Sequence, residues 1–321
     1  MKSFRTSLAL AIACATLAGA TLSAHAQSAN TRIIVPFAAG SVLDTQARFI
    51  AEGLTQRWGK SVIVENIAGS GGNTGAERFS RSTPDGSTLF AAPPAPFTVN
   101  RLLYKSIGYD ASKFMPVSLM STVPNALIVR KDFPAKDVPE FLAYARANSG
   151  KVSYASQGVG TTPFLIAKRL EAMTGVSMNH VPYRGSALAM NDIAAGHIDS
   201  FFDAISNALS LTQSGSSRIL AVTDTKRSPL LPDVPTMAET IPGFRSLTWF
   251  AIAAPPGTPA ALAEKISADV AAVIASPAIN KRFVELGLTP VGGTPAELGK
   301  FIAEEDAVWS ELISSLKMEP Q

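Results

Sequence analysis

From Arg32 onward the chain alternates two hydrophobic periods. In Arg32-Ile33-Ile34-Val35 the three residues after the arginine are consecutively apolar, the pattern of a buried strand. Leu43, Ala47, Ile50, Leu54 and Trp58 then recur at spacings of three or four, which puts them on one helical face, and Gly59 stands where a left-handed residue ends a helix. Val62-Ile63-Val64 follows as the next strand and completes a predicted βαβ crossover. The alternation continues with strands at 88–92 and 126–130 and a strand-helix series over 152–222, so the chain reads as α/β with mostly parallel sheets. In the helical tail Thr258 is read as a cap, and Thr294-Pro295-Ala296-Glu297 has the form of a capping box with proline at the first helical position. No solenoid-length repeat or low-complexity linker interrupts the pattern.

Two stretches read as crossings between lobes. Val123-Pro124-Asn125 leads into Ala126-Leu127-Ile128-Val129, and Leu247-Thr248-Trp249-Phe250-Ala251-Ile252 returns before a turn-rich Pro/Gly segment. With both as interdomain strands, residues 27–125 and 248–321 form one discontinuous lobe and 126–247 the other.

The first residues bear on compartment. Lys2 and Arg5 precede an apolar run from Leu8 to Leu22 that ends at Ala24-His25-Ala26, the form of a secretory leader cleaved after residue 26. Its Ala, Thr and Gly content is low in hydrophobicity for a spanning anchor, and Cys14 sits mid-run, an unsuitable place for lipid attachment. Loss of the leader would remove two of the basic charges behind the net +3 and the only cysteine. An exported chain without cysteine depends on an ordinary core rather than disulfides. A nearly neutral surface without basic blocks gives no nucleic-acid footprint.

Three strand-to-helix loops carry the candidate chemistry. The first, Pro36 to Asp44, sets small residues where β turns into α, so that exposed amides face a ligand; alternatively Pro, Gly and Asp merely shape the turn. The second, Asn66 to Gly75, holds Gly69, Gly71, Gly72 and Gly75. It fails as a Walker A loop because Ala76 follows Gly75, and as G-x-G-x-x-G because Thr74 stands at the last glycine. The third, Tyr154 to Thr162 ahead of Pro163, offers Thr162 as N-cap with Pro163 first in the helix. Helix N-termini draw carboxylates through unpaired N–H groups and the dipole, and a few such charge-assisted bonds suffice without an arginine.

An enzyme finds little support. His180 and His197 read as structural, and no metal-ligand spacing or G-x-S-x-G elbow occurs. Asp199 and Asp203 share a face around Phe201 and Phe202, but without a nucleophile Asp203 reads as a polar contact and Asp199 as a turn residue. Phe37, Phe97, Phe164 and Trp249 are either an aromatic lining or core, with core preferred for Trp249.

At these loops the chain resembles the Bug family of periplasmic binding proteins, the TctC-like receptors of tripartite tricarboxylate transporters. The resemblance rests on PFAAGSVLD, ENIAGSGGNTG, PDGSTL at 84–89, GKVSYASQGVGTT at 150–162, HVPYRG at 180–185, AAGHIDSFFD at 194–203, RSPLLPDVPTMAE at 227–239, and PGF with W-x-x-x-A-A-P-P-G-T-P from Pro242. It implies a two-lobed, type II flytrap fold with two interdomain crossing strands, and ligand contacts made through backbone amides and bridging waters. It also implies a small carboxylate ligand, membrane transporter components as partners, no cofactor, and a monomer in the periplasm. Residue by residue it assigns Phe37, Ala38, Ala39, Gly40 and Ser41 as contacts with Asp44 capping behind them, Ser70, Gly71 and Asn73 as the neighbouring wall, and Ser156, Gly158, Gly160, Thr161 and Asp203 from the second lobe, with Tyr183 and Arg184 near the rim. This chain departs from the family at Ser41 (usually glycine), Phe164 (often histidine), Ser87 (often aromatic) and the proline-rich 93–97, departures that bear on the ligand more than on the fold. A receptor feeding a membrane sensor and a periplasmic α/β enzyme acting on a carboxylate are the other readings.

Overall fold

The computed structural model describes residues 30–316 together with 318 and 320, so the leader read in residues 1–26 lies outside it. In chain order the elements are β1 (Thr31–Val35), α1 (Val42–Trp58), β2 (Val62–Asn66), α2 (Asn73–Ser80), β3 (Thr88–Ala92), α3 (Asn100–Leu103), β4 (Met115–Arg130), α4 (Val138–Ala147), β5 (Ser153–Ser156), α5 (Thr162–Thr174), β6 (Asn179–Pro182), α6 (Ser186–Ala195), β7 (Ser200–Ala204), α7 (Ile205–Gln213), β8 (Ser217–Val222), β9 (Leu247–Ala254), α8 (Ala260–Ala275), α9 (Pro277–Glu285), β10 (Thr289–Gly292) and α10 (Pro295–Ser315).

The alternating apolar runs become strands because each can bury both faces under helices. Ile33, Ile34 and Val35 of β1 are fully buried; Leu43, Ala47, Ile50 and Leu54 of α1 pack with Ile33 and Val35, while Ile34 on the other face joins the aromatic cluster of Phe79 and Phe90. Gly59 ends α1 at φ 64°, its N–H bonded to the Thr55 carbonyl. Within α1, Gly53 has a packing reason: a Cβ there would fall 2.4 Å from Val273 of α8, so only glycine lets the two helices approach.

The sheet runs β2-β1-β3-β9-β4-β7-β5-β6, with β8 and β10 also paired to β4. Strands β1, β2 and β3 are mutually parallel, as are β5, β6 and β7, while β4 and β9 run antiparallel to their neighbours. Strand β4 is longer than its sequence suggests. The predicted strand at 126–130 is only its second half, because the chain stays extended from Met115 through Pro116 and Pro124. Its first half pairs with β9 as far as Pro124↔Leu247, and from Asn125↔Ala204 onward it pairs with β7 and β8. The two halves are thus α/β units sharing β4, with β9 alongside.

Two caps differ from expectation. Helix α8 begins after Pro259, and the Thr258 hydroxyl donates to the Pro255 carbonyl within the turn instead of capping the helix. Helix α5 takes Thr161 as its N-cap residue, one position earlier than Thr162. The Thr294–Glu297 box forms as expected, both of its reciprocal bonds present.

The halves are also joined by packing. Leu298, Phe301 and Ile302 of α10 lie on the aromatic cluster of Phe79, Phe90, Phe97, Phe114 and Trp249, while Trp309 and Ile313, farther along the same helix, join the core around Tyr154, Phe164, Leu165 and Phe244. Glu305, between those two stretches, accepts the indole N–H groups of both Trp249 and Trp309, at 2.9 and 3.2 Å.

Candidate functional site

In each half the strand order reverses beside the first strand, β2-β1-β3 in one and β6-β5-β7 in the other. Loops leaving β1 and β3, or β5 and β7, therefore diverge and leave a crevice at the carboxyl ends of the strands. The three sequence-predicted loops leave β1, β2 and β5, and Asp203 lies near the end of β7.

The first loop is held from behind. Ser41 keeps ordinary extended angles (φ −69°, ψ 160°), so the residue that replaces the family's glycine is unstrained, and its hydroxyl accepts the Asp44 N–H as the N-cap of α1. Asp44, expected to cap the helix, instead reaches back to the Gly40 N–H at 2.8 Å and takes Asn66 and Arg48 as further donors. Burial pushes the Asp44 carboxyl up, but bonds from Arg48, Gly40 and Asn66 outweigh it and hold the group below its usual range. Asp44 is thereby buried and saturated, a brace for the loop rather than a ligand contact. The N–H groups of Ala38 and Ala39, on exposed residues, have no partner among the described residues.

The second loop turns through positive φ at Gly69 (146°), Ser70 (47°), Gly71 (62°) and Gly72 (95°). Ser70 is the only described non-glycine residue with positive φ, a strained conformation for a residue with a Cβ. A Cβ on Gly72 would lie 2.9 Å from Pro96 and 3.4 Å from Phe37, so this loop is seated against the first loop and against the proline-rich turn after β3. That turn forms one wide helical turn (Ala95–Val99) that runs into α3. Its neighbour Asn100 donates to the Gly71 carbonyl and to Asn73 Oδ1, at 3.1 and 2.6 Å, and Tyr109 donates to the same Asn73 oxygen.

The third loop is shaped by its own side chains. Ser156 Oγ accepts the Gly158 N–H at 2.9 Å and lies 2.6 Å from His180 Nε2, and the Thr161 hydroxyl donates to the Gly158 carbonyl at 2.7 Å. His180 stacks on Tyr154 and meets Phe164 edge-on. Burial, with help from the Lys168 charge, pushes its pKa down to about 4, so at neutral pH the ring is an uncharged prop. Gly160, at φ 84°, abuts the first half: a Cβ there would lie 3.3 Å from Asn100 Oδ1 and 3.4 Å from Leu103.

Asp203 is buried, and burial raises its pKa against the opposing bonds from Asn207, the Ala204 N–H and Ser186. Gln157 donates to Ser186 Oγ at 2.7 Å, so the third loop, α6, β7 and α7 are tied by Gln157, Ser186, Asp203 and Asn207.

Of the sequence-predicted residues, Phe37, Gly71, Asn73 and Gly160 are gathered around Asn100 or its adjoining turn. Tyr183 and Arg184 are not drawn in: the Tyr183 phenol donates to Asp192 on α6, and Arg184 is exposed without a hydrogen bond or ion pair among the described residues. Phe97, Phe164 and Trp249 are core side chains, whereas Phe37 is half-buried beside the loops. Asp199 accepts from Arg130 and from Ser153 and so fastens β5 to the end of β4. Sequence reasoning passed over Asn100, Gln157, Ser186 and Asn207; the signal for Asn100 was its place just after β3, the strand across the reversal from β2. No metal-holding group of His, Cys, Asp or Glu is found among the described residues, and no described helix is long and apolar enough to cross a membrane.

Residues 46–318 match the family model described as "Tripartite tricarboxylate transporter family receptor". The UPF0065 protein of the tcbD-tcbE intergenic region in Pseudomonas sp. strain P51 is 36% identical over 288 residues, covering 89% of this chain and 85% of that protein. Among solved structures, R. palustris Rpa4515 with adipate superposes with a TM-score of 0.85 at 33% identity over 91% of this chain and 98% of that one. MatC from Rhodopseudomonas palustris with bound malate gives 0.82 at 29% identity, over 88% and 98%.

Proposed function

The chain belongs to the tripartite tricarboxylate transporter receptor family, a family of periplasmic solute-binding proteins, and from that premise we propose that it closes two lobes around a small carboxylate and delivers it to a membrane transporter. It is a binding protein and not an enzyme. The observation that carries the proposal is the meeting of glycine turns from the two halves at Asn100, which bonds the Gly71 carbonyl on one side and lies against Gly160 on the other.

Around that meeting the chemistry suits an anion. The N-termini of α1 and α5, 17 and 13 residues long, open from the first and third loops and bring unpaired N–H groups with the positive ends of their dipoles. Charge-assisted bonds of this kind contribute about 1.5–3 kcal/mol each. Micromolar affinity needs about 8 kcal/mol net of the cost of association, so several such bonds, made from both lobes, reach it. The acids bound to the two related structures, adipate and malate, are both dicarboxylates.

Closure would pivot where the pairing of β4 changes, at Pro124 and Asn125, and beside it at Ser246 and Leu247. There the Thr223 hydroxyl donates to the Ser246 carbonyl at 2.6 Å and accepts the Asn125 N–H at 2.9 Å, a compact joint at the lobe boundary. A thermal-shift panel of mono- and dicarboxylates, phosphates and sugars tests the ligand class. At least one carboxylate should raise the melting temperature by several degrees; stabilisation by a phosphate or sugar alone contradicts the reading.

A further inference from the structure

Asn100 differs from the rest of the crevice in what it offers. Its residue is 1% exposed, yet its side-chain oxygen has no hydrogen-bond partner among the described residues. The orientation of the amide is fixed by its neighbours: the Gly71 carbonyl and Asn73 Oδ1 are both acceptors, so the NH₂ group must face them. Asn73 Oδ1 already receives the Tyr109 hydroxyl as well, which leaves no donor on that side to turn the amide round. Oδ1 therefore faces away, toward Gly160 of the opposing half, 3.3 Å from where a Cβ would stand on that glycine.

The loops otherwise present donors: the N–H groups at the starts of α1 and α5 and those of Ala38 and Ala39. A carboxylate satisfies donors and leaves a buried acceptor unsatisfied, and an unsatisfied buried acceptor costs free energy. Resting on the carboxylate reading of this site, we propose that Asn100 is a specificity-determining residue, its Oδ1 accepting a hydrogen bond from the ligand. The favoured substrates are then carboxylates with a donor close to the acid group, hydroxy acids or amino acids, over plain acids of the same skeleton. Sites built to bond a substrate hydroxyl discriminate strongly against the analogue lacking it, and one such bond makes a difference of about tenfold or more.

The test is isothermal titration calorimetry with matched acids: malate against succinate, lactate against propionate, and mandelate against phenylacetate. In each pair that binds, the wild-type protein should hold the hydroxylated member about tenfold or more tighter. Asn100→Ala, which also removes the bonds to Gly71 and Asn73, should weaken both members of that pair but the hydroxylated one more, bringing the two affinities to within about twofold. Equal affinity within pairs for the wild type, or a preference unchanged in N100A, overturns the assignment but leaves the carboxylate reading standing. Failure of every acid to bind overturns both. Should N100A not fold, as judged by circular dichroism, or bind neither acid, Asn100→Gln, which displaces the oxygen by one methylene, is judged by the same ratio.

Discussion

His180 shows how an uncharged side chain sets the site. Its ring touches Ser156 Oγ, which in turn holds the Gly158 N–H, so protonation of the imidazole would unsettle the third loop. The folded protein lowers this pKa from 6.5 to about 4, burial being the main cause. The unfolded chain then binds the proton more readily than the folded one. Stability from this group is present above pH 6.5 and is lost progressively as the pH falls toward 4. Thermal melts between pH 7.5 and 4 should show the decline, and His180→Gln should flatten it; an unchanged slope in that variant would contradict the role. This role lay partly in the sequence, where His180 follows an apolar run and reads as structural. The brace formed by Asp44 did so only in part: Arg48 stands four residues on along the same helix, but the donors Gly40 and Asn66 come to the carboxylate only through the turn of the loop and its neighbour β2.

Among the elements, those governed by local rules were the legible ones. The βαβ opening, the left-handed stop at Gly59 and the capping box at Thr294 all follow from spacing and short-range chemistry. Strand β4 was legible only in its second half, because Pro116 and Pro124 argue locally against a strand, and only pairing with β9 keeps the chain extended through them. The wide turn Ala95–Val99 escaped for a similar reason: the three prolines in 93–97 stand out in the sequence only as a departure from the family, yet they lead into α3 and set Asn100 between two glycine turns. The close fit at the third loop gives a prediction for an element rather than a single contact. Gly160→Ala would add a left-handed strain of about 1–2 kcal/mol and a methyl 3.3 Å from Asn100 Oδ1. Carboxylate affinity should drop about tenfold or more by calorimetry, with a modest loss of melting temperature; unaltered affinity would show that the two halves need not meet there.

For the whole molecule, α10 adds to the two crossing strands a further connection between the halves. Its early turns rest on the aromatic cluster of one half, Trp309 and Ile313 enter the core of the other, and Arg101 fastens α3 to its Asp306 at 2.6 Å. Trp309→Ala should cost about 3–5 kcal/mol as a large buried side chain and loosen the coupling between halves. Scanning calorimetry should then resolve two transitions where the wild type shows one; a single cooperative transition at lower temperature would mean that β4 and β9 suffice. The central claim is that donors on both halves grip one small anion. Hydrogen exchange followed by mass spectrometry, on peptides spanning 36–45 and 156–162 with and without a stabilising carboxylate, tests it directly. Simultaneous protection of both peptides is the predicted result. Protection confined to one half while the acid is bound would contradict the account.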